Sequence, residues 1–291
     1  MDIAQFFKEN LDIFLLFVAA SSLLIGSFLN VVIYRLPRML MNEWGQECRE
    51  YLGLKPTPIT EVERFNLSLP LSHCTQCKKN LKPWHNIPVL SYLVLKGKCA
   101  YCKAKISLRY PLVEFICCLA SVYVAWRFGF SLQTVGALIF TWVLIALTFI
   151  DIDYHLLPDQ LTLFLLWVGL LLSLYPVFIS PQDAIIGAVI GYLIFAITQI
   201  AFKLFTGKTG MGQGDFKFLA ALGAFLGWQQ LPIIILLASL IGIIFGLTQM
   251  TMKRQFKSIP IPFGPYLAVA GWISLIWGND ILSIYTHKFL L

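Results

Sequence analysis

Eight long apolar stretches divide this 291-residue chain and leave few folds open to it. They lie at about 13–34, 110–127, 131–150, 160–180, 184–204, 216–228, 231–251 and 264–279. About 20 apolar residues cross the hydrocarbon core of a bilayer as a helix. A helix also satisfies its own backbone hydrogen bonds where no water is present. The chain is 58% hydrophobic and 13% charged, with a mean hydropathy of +0.76, too little charge to cover a soluble domain. The expected fold class is an all-α polytopic membrane protein with about eight transmembrane helices in a lipid bilayer. The stretch 216–228 is short for a span and is expected to be tilted or buried among other helices. Asp2, Lys8, Glu9 and Asp12 give the chain a net-negative start, whereas a signal peptide starts basic, so the first span is expected to be retained.

The charge is unevenly placed. The chain carries 22 Lys/Arg and 15 Asp/Glu, a net +7, and the stretch from Arg35 to Arg109 holds 13 of the basic and 5 of the acidic residues. One polar loop thus carries more than the whole excess, as a loop kept in the cytoplasm does. Acidic lipid head groups are the expected counterpart of that charge, and nucleic acid is not. With this loop inside and the N-terminus outside, alternation puts the breaks at 151–159, 205–216 and 252–262 inside as well. All Lys/Arg except Lys8, Arg127 and Lys288 then fall on the cytoplasmic side. A seven-helix arrangement with 216–228 re-entrant would put Lys253, Arg254 and Lys257 outside, against the same rule. No internal repeat or low-complexity tract is visible.

Acidic groups near membrane depth are costly and point to function. Asp151 ends the third stretch in Phe149-Ile150-Asp151-Ile152-Asp153, and Asp215 opens the sixth in Gly212-Gln213-Gly214-Asp215-Phe216-Lys217. The topology puts both at one cytoplasmic boundary. Two facing carboxyls do not ionise together easily, so one keeps a proton while the other acts as base on a water. The blander reading makes each a helix-end acid, with Asp215 favoured by a helix N-terminus. For Asp159, after Pro158, helix capping is the expected role. Asp153 points elsewhere than Asp151 on a helix, and Glu114 is open to either reading. Gly210-Met211-Gly212-Gln213-Gly214 spaces glycines as a nucleotide loop does, but no strand precedes it, so that context fails. Its glycines instead let a backbone or a substrate strand come close to Asp215.

The polar loop contains Cys74-Thr-Gln-Cys77 and Cys99-Ala-Tyr-Cys102. Paired C-x-x-C knuckles at this interval are a structural zinc signal, and a cytosolic loop disfavours two disulfides. A redox pair is the alternative, and His73 and His85 are possible substitute ligands. A zinc staple suits a loop too small and polar to fold on apolar burial alone. Cys48 has no evident partner, and Cys117 and Cys118 are expected to be packing residues.

These residues resemble the type IV prepilin peptidase family. The resemblance rests on Gly26-Ser27-Phe28-Leu29-Asn30-Val31-Val32-Ile33-Tyr34-Arg35-Leu36-Pro37, the double C-x-x-C loop, Asp151 with Leu157-Pro158-Asp159, Gly212 to Lys217, and Pro260-Ile-Pro-Phe-Gly-Pro265. It spans most of the chain, in order. It implies an aspartyl endopeptidase of a bacterial inner membrane that cuts the short basic leader of type IV prepilins and pseudopilins on the cytoplasmic side, after Gly. It also implies N-methylation of the new N-terminal residue with S-adenosylmethionine. The roles it implies are Asp151 and Asp215 as the catalytic pair and Cys74, Cys77, Cys99 and Cys102 as ligands of a structural zinc. Gly26, Asn30 and Arg35 would support the loop and methyl transfer, or would serve only helix packing and anchoring. The domains expected are a first transmembrane helix at 1–34, a cytoplasmic zinc-binding loop at 35–109 associated with methyl transfer, and a transmembrane peptidase domain at 110–291. Glu43, Glu47, Glu50, Glu61 and Glu63 are expected to help receive a basic leader in an otherwise basic loop. The rivals are a zinc-stapled scaffold, a proton-coupled transporter, and a G-x-G-D intramembrane protease of the presenilin type. The cysteine loop and the N-terminal signature favour prepilin processing.

Overall fold

The computed structural model describes residues 3–55, 65–253 and 262–289. Glu61, Glu63, Arg254, Lys257 and Pro260 lie outside the described residues, and so does the side chain of Lys253. All the regular elements described are helical. The chain forms two compact units, Met1–Trp126 and Arg127–Leu291.

The first unit opens with α1 (Ile3–Glu9) and α2 (Leu11–Tyr51). The apolar stretch was expected to leave the helix after Tyr34. Instead α2 continues for 41 residues, through Pro37. Residues 39–51 are polar but contain good helix formers and no second proline, and polarity alone does not end a helix. A short helix, α3 (Leu90–Val94), lies within the loop, and α4 (Arg109–Phe128) follows it. Gly26 marks a close approach of α2 to α4: a β-carbon there would lie 2.8 Å from Glu114 Cα. Asn30 donates to the Tyr110 carbonyl at 3.1 Å. Arg35 is buried and donates to the carbonyls of Asn66 at 2.8 Å and Pro70 at 2.5 Å. Glu114 accepts the Val89 N–H at 2.7 Å. The polar segment is thus tied to α2 by Arg35 and to α4 by Glu114, through hydrogen bonds to its backbone.

The second unit contains α5 (Leu132–Tyr154), α6 (Asp159–Ser173), α7 (Pro181–Thr206), α8 (Gln213–Leu226), α9 (Leu231–Lys253) and α10 (Gly264–Phe289). Among the described residues six helices, α2, α4, α5, α7, α9 and α10, are long and apolar enough to cross a membrane. The expected eight thus become six of spanning length and two shorter ones, α6 with 15 residues and α8 with 14. α6 stops short because Pro176 cannot continue it, and Pro181 opens α7 at a position where its missing N–H costs nothing. Ser180 Oγ accepts the Asp183 N–H at 3.2 Å. Asp183 in turn accepts from Trp228 Nε1 at 3.1 Å and Gln229 Nε2 at 3.0 Å. That cap fixes the start of α7 to the turn between α8 and α9.

α8 is the most buried helix of this unit: Phe216 and every residue from Phe218 to Gly227 are buried. It packs chiefly on α7 and α6. The contact is backbone on backbone, because Gly187 and Gly223 face each other with no room for a β-carbon on either. A helix that need not face lipid can be shorter than the bilayer, which accounts for the length of α8.

Candidate active site

Three helix ends meet at one end of the second unit. Asp151 is in the last turn of α5 and is 5% exposed. Its Oδ2 accepts the N–H of Gly264, the first residue of α10, at 3.0 Å. Asp215 is half-buried in the first turn of α8, and its N–H bonds the Gly212 carbonyl at 3.3 Å. Asp151 is the neighbouring charge acting on Asp215. Each carboxyl thus lies at a helix N-terminus, α10 for Asp151 and α8 for Asp215, where unsatisfied N–H groups favour negative charge.

The packing around the pair is close. A β-carbon at Gly264 would lie 2.6 Å from Asp151 Oδ2 and 3.0 Å from Leu157 Cδ2. One at Gly214 would lie 2.9 Å from Leu157 Cβ. Leu157 therefore fills the space between the starts of α8 and α10. Phe195 of α7 stands 6.5 Å from the ring of Phe216 and 6.0 Å from that of Phe263, joining α7 to the same corner. Gly212 is exposed, with Asp215 Oδ2 its nearest neighbour at 3.7 Å from a built β-carbon. It leaves bare backbone beside the carboxyl.

The contacts that position this site go beyond what the motifs disclose, and Gln199 was not singled out in the sequence. Gln199 of α7 accepts the N–H groups of Gly210 at 3.1 Å and Met211 at 3.0 Å, pinning the glycine-rich turn before Asp215. Lys217 donates to both carboxylate oxygens of Asp159, at 2.8 and 2.6 Å. Asp159 was expected to cap α6, but it lies inside the first turn, after Pro158 at the cap position, and makes no capping bond. Its position one residue past the cap and the reach of Lys217 make it an ion-pair partner instead. Asp153 is exposed, and Glu114 belongs to the first unit, bound to the Val89 N–H.

The Lys217–Asp159 pair joins α8 to α6 within two residues of Asp215. Reversing one charge, as Lys217→Glu or Asp159→Lys, is expected to slow substrate cleavage by about ten- to a hundredfold, because small displacements of catalytic groups are costly. The double reversal is expected to recover most of that loss. A double variant as slow as the singles would deny the pair a positioning role.

The first unit carries the second cluster. The Sγ atoms of Cys74, Cys77, Cys99 and Cys102 lie within 4.8 Å of one another. Two matching turns build it. Cys74 N–H bonds the Lys79 carbonyl at 3.0 Å, and Cys99 N–H bonds the Ala104 carbonyl at 2.8 Å. Lys78 and Lys103 both take positive φ, 58° and 60°. The bridges His73–Asn80 and Lys98–Lys105 close the two turns in the same way. The two knuckles are therefore a structural repeat, which the sequence did not show as one because little beyond the Cys-x-x-Cys-Lys pattern is shared. The backbone N–H groups of Cys77 and Gln76 draw the Cys74 thiol down to about 6, which favours the thiolate that metals bind. Neither histidine joins the cluster: His73 Nδ1 lies 2.9 Å from the Leu71 carbonyl, and the His85 ring packs edge-on to Tyr101. Cys48 is exposed on α2, and Cys117 is buried in α4.

Two family profiles match the chain: the bacterial peptidase A24 N-terminal domain over residues 21–128, and the type IV leader peptidase family over residues 138–247. A protein of Stutzerimonas stutzeri called prepilin leader peptidase/N-methyltransferase is 50% identical over 97% of this chain and 96% of its own length. A protein of the same description from Pseudomonas aeruginosa is 52% identical over 94% of this chain and 93% of its own. One from Legionella pneumophila is 44% identical over 93% of both chains. No solved structure matches. Similarity at this level over nearly the whole chain, on a bundle of spanning helices, means that the chain belongs to the type IV leader peptidase family and is a multi-pass membrane peptidase.

Proposed function

We propose that this protein cuts the leader from type IV prepilins and pseudopilins at the cytoplasmic face of a bacterial inner membrane, and methylates the amine so released. The observation that carries the proposal is the meeting of Asp151 and Asp215 at the ends of α5 and α8, each beside a helix N-terminus. In this reading the pair shares one proton. The ionised carboxyl takes a proton from a water whose oxygen attacks the carbonyl carbon of the leader's last Gly. The protonated carboxyl gives its proton to the carbonyl oxygen. Collapse of the tetrahedral species breaks the C–N bond, and the amine leaves with a proton returned from the pair. The methyl group comes from S-adenosylmethionine, supplied as a second substrate.

The cysteine cluster fits a structural zinc. Four thiolates at about 2.3 Å from a tetrahedral zinc stand about 3.8 Å apart, and Cys74 and Cys102 Sγ are 3.8 Å apart. We assign Cys74, Cys77, Cys99 and Cys102 as its ligands and the 35–109 segment as the part associated with methyl transfer. Cys99→Ser is expected to lower bound zinc from about one per chain to near zero, and to open the loop to limited proteolysis. Elemental analysis of the purified protein reads the first, and a digestion time course reads the second. Full zinc content in the variant would remove Cys99 from the ligand set.

Glu43, Glu47 and Glu50 are all exposed on α2, at a spacing that puts them on one helix face. We assign them to the basic leader. Reversing all three is expected to raise KM for a prepilin by about tenfold with kcat little changed, and an unchanged KM would sink the assignment.

The test of the function is direct. Purified protein in detergent, given a prepilin and methyl-labelled S-adenosylmethionine, is expected to release the leader and label the mature N-terminus. Failure of wild-type protein to cut prepilins with basic leaders would refute the reading.

A further inference from the structure

One stripe of α7 carries both the helix that holds Asp215 and the turn that leads into it. Gly187, Gly191, Phe195, Gln199, Phe202 and Thr206 follow one another at steps of three or four residues, which puts them along one helix face. Over the first two, α8 lies backbone on backbone. A β-carbon at Gly187 would fall 2.2 Å from the Gly223 carbonyl oxygen, and one at Gly191 would fall 2.6 Å from that of Leu219. Phe195 packs on Phe216, the residue after Asp215. Gly207 then ends α7 at a φ of 70°, and the chain turns back along the same stripe. Thr206 Oγ1 accepts the Lys208 N–H at 3.3 Å. Gly210 sits so close to Phe202 that a β-carbon there would lie 2.8 Å from the ring.

Gln199 makes the polar contact nearest to the carboxyl. Its Oε1 accepts two successive backbone N–H groups, of Gly210 at 3.1 Å and Met211 at 3.0 Å. A turn rich in glycine has few side chains to fix it and many backbone conformations open to it. The next residue, Gly212, stands at the cap position of α8. Its carbonyl accepts the Asp215 N–H at 3.3 Å. The path from α7 to the catalytic carboxyl is therefore short and continuous: Gln199, the turn, the cap of α8, Asp215. The Gly210 bond is exposed and the Met211 bond is part-buried. Water can replace either one, so they add little to global stability. What they select is one conformation of the turn.

We propose that Gln199 is a positioning residue for peptide cleavage: its side-chain oxygen holds the turn at Gly210 and Met211, so that α8 starts with Asp215 in place beside Asp151. It acts through the turn and touches no reacting atom. The proposal rests on Asp151 and Asp215 being the cleaving pair. It requires an acceptor at the reach of Gln. Glu supplies one. Met has the same length and no comparable acceptor, and Asn has the amide but ends one methylene short.

The full chain in detergent tests this with three variants and a prepilin substrate. Gln199→Met and Gln199→Asn are each expected to lower kcat by about tenfold or more, with KM and melting temperature close to those of wild type. Gln199→Glu is expected to recover most of the rate. Hydrogen exchange at the Gly210 and Met211 amides, read without substrate, is expected to be about fivefold faster in the Met and Asn variants and unchanged in Glu. Wild-type turnover by both Met and Asn would overturn the proposal, and so would a Glu variant as slow as Met. A fall in melting temperature that tracks the loss of rate in both Met and Asn would make Gln199 a merely structural residue, which also overturns it. Unchanged exchange in both would remove the contact itself. A wild-type protein that cuts no prepilin would instead refute the function proposed above, and it shows before any variant is compared.

Discussion

With Asp215 replaced by Asn, the protein is expected to fold normally and leave its prepilin uncut, with kcat/KM lower by about a thousandfold or more. Asp151→Asn is expected to behave alike. The substitution keeps the size and shape of each side chain and removes only the capacity to ionise and pass a proton. Asn at 151 can still turn its oxygen to the Gly264 N–H that Asp151 now accepts at 3.0 Å, so the contact with α10 survives. Asn at 215 stays in the first turn of α8, where an amide oxygen is also tolerated. Cleavage is measured by the shift of prepilin to its mature size, and folding by thermal unfolding of each variant. If either Asn variant cuts at near the wild-type rate, that residue is not part of the pair. The acid on the adjoining helix is a poor replacement, because Asp159 is bound by Lys217.

The helices of this bundle were legible because lipid imposes a strong rule on sequence. A stretch that crosses it must be apolar for its whole length, and α5, α7 and α9 obey that rule closely. The end of α2 was not legible, since past Tyr34 the chain leaves the rule's domain while its residues still favour helix. α6 and α8 read as spans although they are short, because burial among other helices selects apolar residues as lipid does. At the carboxyls, local motifs singled out Asp151 and Asp215, and the structure brings both to one end of the second unit. What holds them in place is long-range. Gly264 is 113 residues from the aspartate it contacts, and Lys217 is 58 residues from Asp159. A single sequence carries no sign of such pairings. Asp159 looked like a cap for the same reason: its local context is that of a helix start, and its partner is on another helix.

Gly264 gives the sharpest test of that long-range positioning. Its N–H survives in any substitution except proline, so Gly264→Ala leaves the donor to Asp151 in place. What changes is space: the new β-carbon falls 2.6 Å from Asp151 Oδ2 and 3.2 Å from its Cγ, with Leu157 Cδ2 at 3.0 Å on another side. Contacts that short force the carboxyl, the start of α10 or Leu157 to shift, and Leu157 in turn abuts Gly214 beside Asp215. The expected result is a fall in kcat of about a hundredfold with KM little altered, since misplacement of the reacting groups by about an ångström costs that much. Gly45→Ala is the control, because Gly45 is exposed within α2 with nothing near its built β-carbon; it is expected to cut at the wild-type rate. Turnover by the Gly264→Ala protein would be measured on prepilin in detergent, beside its melting temperature. A loss of kcat in a protein that melts as wild type does would locate the defect in the alignment of Asp151. Wild-type turnover would mean that the working enzyme does not hold Asp151 against the start of α10, and that the carboxyls meet in a different arrangement during cleavage.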